Sequence, residues 1–267
     1  MGERLKTWAG KWALITGASA GIGLSLAREL AAGGAHLVLT ARRTDRLETI
    51  AGELAARHKI KTEIITADLT RAAAPAEIFS FTSGKGIEIE LLVNNAGFGA
   101  FGLSHEIPVE RQMEMIQVNC AAVVQLTALY VPAMVTRGHG DVLIVASVAS
   151  FQAVPFNSVY AATKGFDLLY AMGIAEELRD AGVRVCALCP GSTETEFQQV
   201  AHQPDRLMRV AESADKVARV GLGALAKGKS YVVSGGRNRM MVEAQRLAPR
   251  AFVARMAGKM MNPSDKA

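Results

Sequence analysis

The sequence predicts a single α/β domain built on a doubly wound parallel sheet. Short apolar runs alternate with amphipathic segments from the first strand onward, the pattern of successive βαβ crossovers. Most of these runs are apolar throughout rather than at every second position, as in strands covered on both faces. Half of the 267 residues are hydrophobic, with 25 glycines and 6% aromatics, which suits a sizeable core closed by tight turns.

Seven runs have the character of strands: 12–16 (WALIT), 36–40 (HLVLT), 62–66 (TEIIT), 89–93 (IELLV), 142–146 (VLIVA), 183–188 (VRVCAL) and 231–233 (YVV). Helices are expected at 22–32, 45–57, 108–136, 158–180 and 214–226. Thr44 and Ser213 stand where N-caps belong, and Gly33, Gly34 and Gly182 where helices end. The stretch 192–213 breaks the rhythm between a strand and a helix, at an edge where such sheets shape ligand pockets. The catalytic unit is expected to span 1–236, with 237–267 as a helical extension.

Charge and cysteine usage exclude several function classes. The net charge is +5, but residues 227–267 hold nine Lys/Arg against two Asp/Glu. That segment is therefore +7 and the body about −2, so the domain itself offers no basic face for nucleic acid. Cys120, Cys186 and Cys189 give no disulfide framework. Cys186 and Cys189, three apart on a strand, point to opposite faces and read as core thiols, so no metal site is expected. The polar N-terminus has no signal-peptide pattern, and no run of about 18 apolar residues occurs. A cytoplasmic protein without a membrane-spanning helix is the expectation.

In the extension, Val253, Met256 and Met260 recur at helical spacing beside Phe252, with Arg246, Arg250, Arg255 and Lys259 interleaved and Pro249 interrupting. A cover over the pocket or a subunit interface is the favoured reading, because Met-rich stripes usually pack against protein. Peripheral contact with an anionic membrane is the alternative.

The chemistry begins at Thr16-Gly-Ala-Ser-Ala-Gly-Ile-Gly23, between a strand and a helix. Gly17 permits a sharp exit from the strand, Gly21 lets backbone approach a pyrophosphate, and Gly23 allows close packing of the helix. The helix N-terminus then presents free N–H groups to the anion. After the second strand come Arg42 and Arg43, with no carboxylate to hold a ribose 2′-hydroxyl. Two guanidiniums there favour a 2′-phosphate, hence NADP(H) over NAD(H). Asp68, in Asp68-Leu69-Thr70, suits either an adenine contact or an ordinary turn, and spacing leaves both open.

Tyr160 and Lys164 are one helical turn apart. A neighbouring ammonium favours a phenolate, which makes the pair a plausible acid/base, although a packed tyrosine beside a solvated lysine has the same spacing. Ser147 follows a strand and is placed to polarise a carbonyl oxygen; a turn residue is its plain reading. Asn119 falls mid-helix, where asparagine is disfavoured, and suggests a buried hydrogen-bonding task such as holding a water against Lys164, or a satisfied core amide.

In this order, the motifs resemble the short-chain dehydrogenase/reductase family over nearly the whole chain. T-G-x-x-x-G-I-G matches at 16–23, N-N-A-G at 94–97, the active-site Asn, Ser, Tyr and Lys at Asn119, Ser147, Tyr160 and Lys164, and P-G at Pro190-Gly191, with Thr195 four residues on. The resemblance implies a Rossmann fold with a seven-stranded parallel sheet ordered 3-2-1-4-5-6-7. It implies cofactor contacts from Gly17, Ser19, Ala20, Gly21, Ile22 and Gly23, from Arg42, Arg43, Asp68 and Leu69, from Asn95, Ala96 and Gly97, and from Pro190, Gly191, Thr193 and Thr195. It also implies 4-pro-S hydride transfer, Lys164 on the nicotinamide ribose, and a proton path from Tyr160 through that ribose and Lys164 to water near Asn119. Dimers or tetramers are implied, through the helices at 110–136 and 158–180. Ala20 departs from the basic residue common there in NADP(H) members, so the 2′-phosphate would rest on Arg42, Arg43 and Ser19.

The expected function is NADP(H)-dependent oxidation or reduction of a small-molecule alcohol or carbonyl. The rival is a nucleotide-binding redox sensor with little turnover, which the intact tetrad argues against. Segments 98–103, 149–157 and 194–207 are expected to form the pocket. Phe98, Phe101, Phe151, Phe156 and Phe197 make it apolar.

Overall fold

A computed structural model describes residues 6–197, 201 and 211–262. Seven parallel strands form one sheet: β1 (Trp12–Thr16), β2 (His36–Ala41), β3 (Thr62–Thr66), β4 (Ile89–Asn94), β5 (Gly140–Val145), β6 (Val183–Cys189) and, last in the sheet, β9 (Tyr231–Val233). Their order is β3-β2-β1-β4-β5-β6-β9, as the resemblance implies. A two-residue ladder, β7 (Thr193–Glu194) with β8 (Glu212–Ser213), was not expected. It ties the chain after β6 to the start of the following helix.

The helices are α1 (Gly21–Ala32), α2 (Thr44–His58), α3 (Ala74–Gly84), α4 (Val109–Ile116), α5 (Ala122–Arg137), α6 (Ser158–Glu177), α7 (Ala214–Ala226), α8 (Gly236–Ala244) and α9 (Arg250–Met261). They cover both faces. One core lies under α1, α2 and α7 and includes Cys186; the other lies under α3, α5 and α6 and includes Cys189. The two thiols thus occupy opposite sides of β6, and burial pushes both up to about 12. Among the described residues no group of three or more His, Cys, Asp or Glu side chains is arranged to hold a metal.

Three local expectations change. Thr44 is the first residue of α2 rather than its cap, and its hydroxyl meets that of Thr66 at 2.7 Å. Ser213 does cap α7, accepting from the Lys216 amide. The helix expected at 108–136 is continuous but interrupted by a π turn, Gln117–Ala121. At 109–137 its length and mean hydropathy would suffice to cross a bilayer, a test that a helix buried in a protein core also passes. It lies instead on the sheet, with Leu126, Tyr130 and Met134 buried in the core. Pro249 separates α8 from α9, as its missing donor requires.

Candidate active site

The loops that follow β1, β2, β4, β5 and β6 at the carboxyl edge of the sheet carry Gly17, Arg43, Asn95, Ser147 and Pro190. The turn after β1 carries two positive φ angles, 66° at Gly17 and 55° at Gly21. Gly23 is demanded by space: a Cβ there would stand 2.4 Å from the Gly17 carbonyl oxygen and 2.5 Å from Asn95 Nδ2. Ala20 is the helix N-cap, extended and without a side-chain cap. The first-turn amides of α1, including those of Ile22 and Gly23, are therefore left without a competing side-chain acceptor at the cap, the arrangement an anion binds. The turn thus fits a dinucleotide pyrophosphate on its own geometry.

Asn95 is needed to shape the turn. Its Nδ2 donates to the Thr16 carbonyl at 2.8 Å, and Thr16 Oγ1 accepts from the amides of Asn95 and Ala96, both at 3.0 Å. From the other side, Thr195 Cγ2 lies 2.9 Å from where a Gly21 Cβ would be. The segment after β6 therefore closes over the turn. Pro190 anchors it by accepting from the Val148 amide at 2.9 Å, and Thr193 by donating to the Gly191 carbonyl at 3.0 Å.

Beyond β2, Arg42 is exposed, while Arg43 reaches back to Ser19 Oγ from Nε and Nη2 at 3.3 and 3.1 Å. Arg43 Nη1 and Arg46 Nη1 each donate to one oxygen of Glu196, at 2.8 and 2.7 Å. Hydrogen bonds from Arg46 and Arg43 hold the Glu196 carboxyl below the usual carboxylate range. Sequence reasoning missed Arg46 and Glu196; the signal was a third arginine one helical turn after Arg43. Asp68 accepts from the Thr70 amide at 3.0 Å, which is the turn alternative, and Leu69 is buried in the core.

The four catalytic candidates come from the end of β5, from α6 and from the π turn. Ser147 caps a short 3-10 turn, Val148–Phe151, through a capping box with Ser150. Tyr160 is partly buried, and Ser147 and Lys164 lie close enough to act on its phenol. Burial pushes the Tyr160 hydroxyl up; Lys164 and Ser147 oppose this, and Asp167 adds to it. Lys164 is buried, and its ammonium donates to the Val145 carbonyl at 2.7 Å and to Asp167 Oδ2 at 2.9 Å. Burial alone would lower its pKa, but the Asp167 and Tyr160 oxygens outweigh that and raise it.

Asn119 is fully buried in the π turn. Its Oδ1 accepts from the Phe98 amide at 3.1 Å, and its Nδ2 donates to the Phe98 carbonyl and to Thr163 Oγ1, both at 3.0 Å. A Cβ on Gly97 would stand 3.1 Å from Asn119 Oδ1 and 3.4 Å from Lys164 Nζ. The N-N-A-G glycine is thus the bare backbone beneath which both side chains meet. Asp167 was not singled out from sequence, although Lys164 and Asp167 share a helix face at i, i+3.

The five phenylalanines divide. Phe197 lies on Tyr160 with ring centroids 5.2 Å apart, and Phe101 pairs with Phe156 at 6.1 Å. Phe156 holds φ at 64°, a strained conformation for an aromatic residue. Phe98 and Phe151 instead pack against the core, Phe98 under the Arg111 guanidinium and Phe151 against Tyr231. Of the expected pocket segment 194–207, only 194–197 and 201 fall within the described residues.

The sequence profile of the short chain dehydrogenase family matches residues 11–206. A very-long-chain 3-oxoacyl-CoA reductase of Bos taurus is 32% identical over 202 residues, 72% of this chain and 62% of that one. The chain thus spans less than two thirds of that relative's length. A 7beta-hydroxysteroid dehydrogenase of Collinsella aerofaciens is 28% identical, over 86% of this chain and 88% of its own. A solved 7beta-hydroxysteroid dehydrogenase superposes with a TM-score of 0.86 at 26% identity, covering 95% of this chain and 99% of that one. A short-chain dehydrogenase of Sphingobium yanoikuyae in complex with NADPH gives 0.81 at 29% identity, covering 96% and 98%.

Proposed function

The chain belongs to the short-chain dehydrogenase family, and we propose that it is an NADP(H)-dependent oxidoreductase acting on an apolar carbonyl or secondary alcohol. One observation carries the reading: Tyr160 and Lys164, one turn apart on α6, and Ser147, just past the end of β5, stand at the carboxyl edge of the sheet beside a glycine turn with no room for side chains.

When bound, the nicotinamide supplies or accepts the hydride. The chain's own residues do the rest. Ser147 orients the substrate oxygen and polarises the carbonyl. Tyr160 gives its hydroxyl proton to that oxygen in reduction and takes it back in oxidation. Lys164 places a buried positive charge beside the phenol, which stabilises the phenolate left behind. Asn119 fixes the backbone at Phe98, next to Gly97, and so holds the floor of the site.

NADP(H) rather than NAD(H) is supported by the basic cluster after β2. Glu196 already sits as an anion between Arg43 and Arg46, and a 2′-phosphate has the charge to take its place. An apolar substrate is supported by Phe197 on Tyr160 and by the Phe101–Phe156 pair. The 3-oxoacyl and hydroxysteroid substrates in the names of the relatives agree with that choice. We further propose a homodimer or homotetramer. Met113 and Ile116 on α4 and Phe166, Leu169 and Met172 on α6 are all exposed in the single chain, and a group of exposed apolar side chains on two neighbouring helices is what an association surface offers.

NADPH consumption with a panel of ketones and 3-oxoacyl thioesters tests the reading. Turnover that disappears in Tyr160→Phe supports it. Tight NADPH binding without turnover on any substrate points to a sensor instead. Light scattering during gel filtration tests the assembly; a monomer at micromolar concentration removes it.

A further inference from the structure

Helix α9 turns its small residues inward and its large ones outward. Ala257 is buried, and a Cβ on Gly258 would stand 3.3 Å from Pro155 Cγ, so this side rests on the 149–157 segment expected to form part of the pocket. Phe252, Met256 and Met260, spaced i, i+4, i+8, are 56%, 44% and 67% exposed. That spacing makes one stripe along the helix. The covering role expected of the extension thus falls to alanine and glycine, and the Met-rich stripe faces out. In α8 and the turn after it, Met240, Met241 and Leu247 are exposed as well.

Cations border the stripe. Arg255 and Lys259 follow Phe252 and Met256 by three residues, and both are exposed. Residues 236–261 hold six Lys/Arg and one acid, Glu243. Among the described residues Glu243 pairs with Arg246, and the other five cations of the segment have no ion pair.

We propose that the exposed side of α9 is a docking surface for an anionic lipid bilayer, with Phe252, Met256 and Met260 among the acyl chains and Arg255 and Lys259 at the headgroups. Unpaired cations beside an apolar stripe complement a surface that is negative outside and apolar beneath. Their long stems let the charges stay at the headgroups while the neighbouring side chains go deeper. A second copy of the chain fits less well. A twofold contact through the stripe would set Arg255 and Lys259 of both copies against each other, with Glu243 the segment's one acid to offset them. The core of a protein interface also excludes charge, and the exposed group on α4 and α6 offers an association surface elsewhere. Docking does not rest on the oxidoreductase reading, and its test measures no turnover.

Flotation of the full-length protein with vesicles reads the docking. At about 0.1 M salt, phosphatidylcholine vesicles with about one-third phosphatidylserine should bind at least about tenfold more tightly than phosphatidylcholine alone, and about 1 M salt should erase the difference. Arg255→Gln/Lys259→Gln should weaken binding about twentyfold, at about fivefold for each cation near the surface. Arg57→Gln/Lys61→Gln removes two exposed cations at and after the end of α2 and should bind like the parent. Phe252→Ser/Met256→Ser/Met260→Ser should lose at least about tenfold. In Phe252→Trp, emission above the Trp8 and Trp12 background should shift to the blue on the anionic vesicles. Equal losses in the two double variants overturn the proposal, because attraction would then follow net charge alone. So does binding without a blue shift, or no binding by the parent at low salt. A triple serine variant with a lower mass in light scattering and unchanged vesicle binding assigns the stripe to a second copy, and overturns it too.

Discussion

Two carboxylates are buried to the same degree at opposite edges of the sheet, and their surroundings differ. Asp141, at the amino end of β5, and Asp167, near its carboxyl end, are each 1% exposed. Asp141 accepts from the Trp8 indole N–H at 2.7 Å and from Arg184 Nε and Nη2 at 2.7 and 2.8 Å. Both of its oxygens are satisfied by a rigid fork and a ring. Asp167 has one flexible ammonium and, among the described residues, no partner for its second oxygen. The first arrangement pins the N-terminal 3-10 turn (Lys6–Trp8), β5 and β6 together. The second leaves a half-satisfied carboxylate against the Lys164 ammonium. Burial alone does not separate the two; completeness of hydrogen bonding does.

Substitutions sharpen the contrast, beginning with the largest effect. Tyr160→Phe should lower turnover about 10³-fold, the scale of a lost general acid, while the melting temperature holds. A parallel fall in melting would move the carboxyl edge into the structural class. Asp141→Ala should do the reverse. Removing a buried carboxylate that holds the Trp8 indole and a half-exposed Arg184 costs about 3 kcal/mol, which lowers the melting temperature by about 5 °C in a chain of this size, with turnover per folded molecule kept within about twofold. Calorimetry and initial rates on the same preparation check both.

A smaller pair of effects tests the arginine cluster. Arg43→Ala should weaken NADP⁺ binding about tenfold, the worth of one partly exposed charge-assisted contact. Glu196→Gln should strengthen it about threefold, because the competing anion is gone while the Arg43 fork remains. Titration calorimetry with NADP⁺ and NAD⁺ separates the outcomes. Equal changes for both cofactors would mean that the cluster does not read the 2′-phosphate.

The sheet was legible because its strands are apolar almost throughout, and period and length suffice for such runs. The helix α3 was not, since Ala74–Gly84 mixes Pro75 with serine and threonine and buries only Ala74, Pro75, Ile78 and Thr82. The site was legible where a backbone constraint leaves a mark, as at Gly17, Gly23 and Gly97. It was not legible where a long-range partner decides the role. Glu196 is 150 residues from Arg46 and 153 from Arg43, and no local pattern announces that meeting. Asp167 was hidden differently: it sits where any polar residue on a helix might, and only its burial sets it apart.

The π turn at Gln117–Ala121 has a consequence for how this chain tolerates change in length. Each residue in a helix turns the ones beyond it by about 100°, so the turn shifts α5 out of phase with α4. Removing one residue from 117–121 would restore uninterrupted α-helical winding. The same deletion would swing the residues on either side out of step, and the Asn119 amide could no longer span Phe98 and Thr163. Here a shorter chain would make the better helix and the poorer enzyme, which sets a floor on trimming that no stability screen would find.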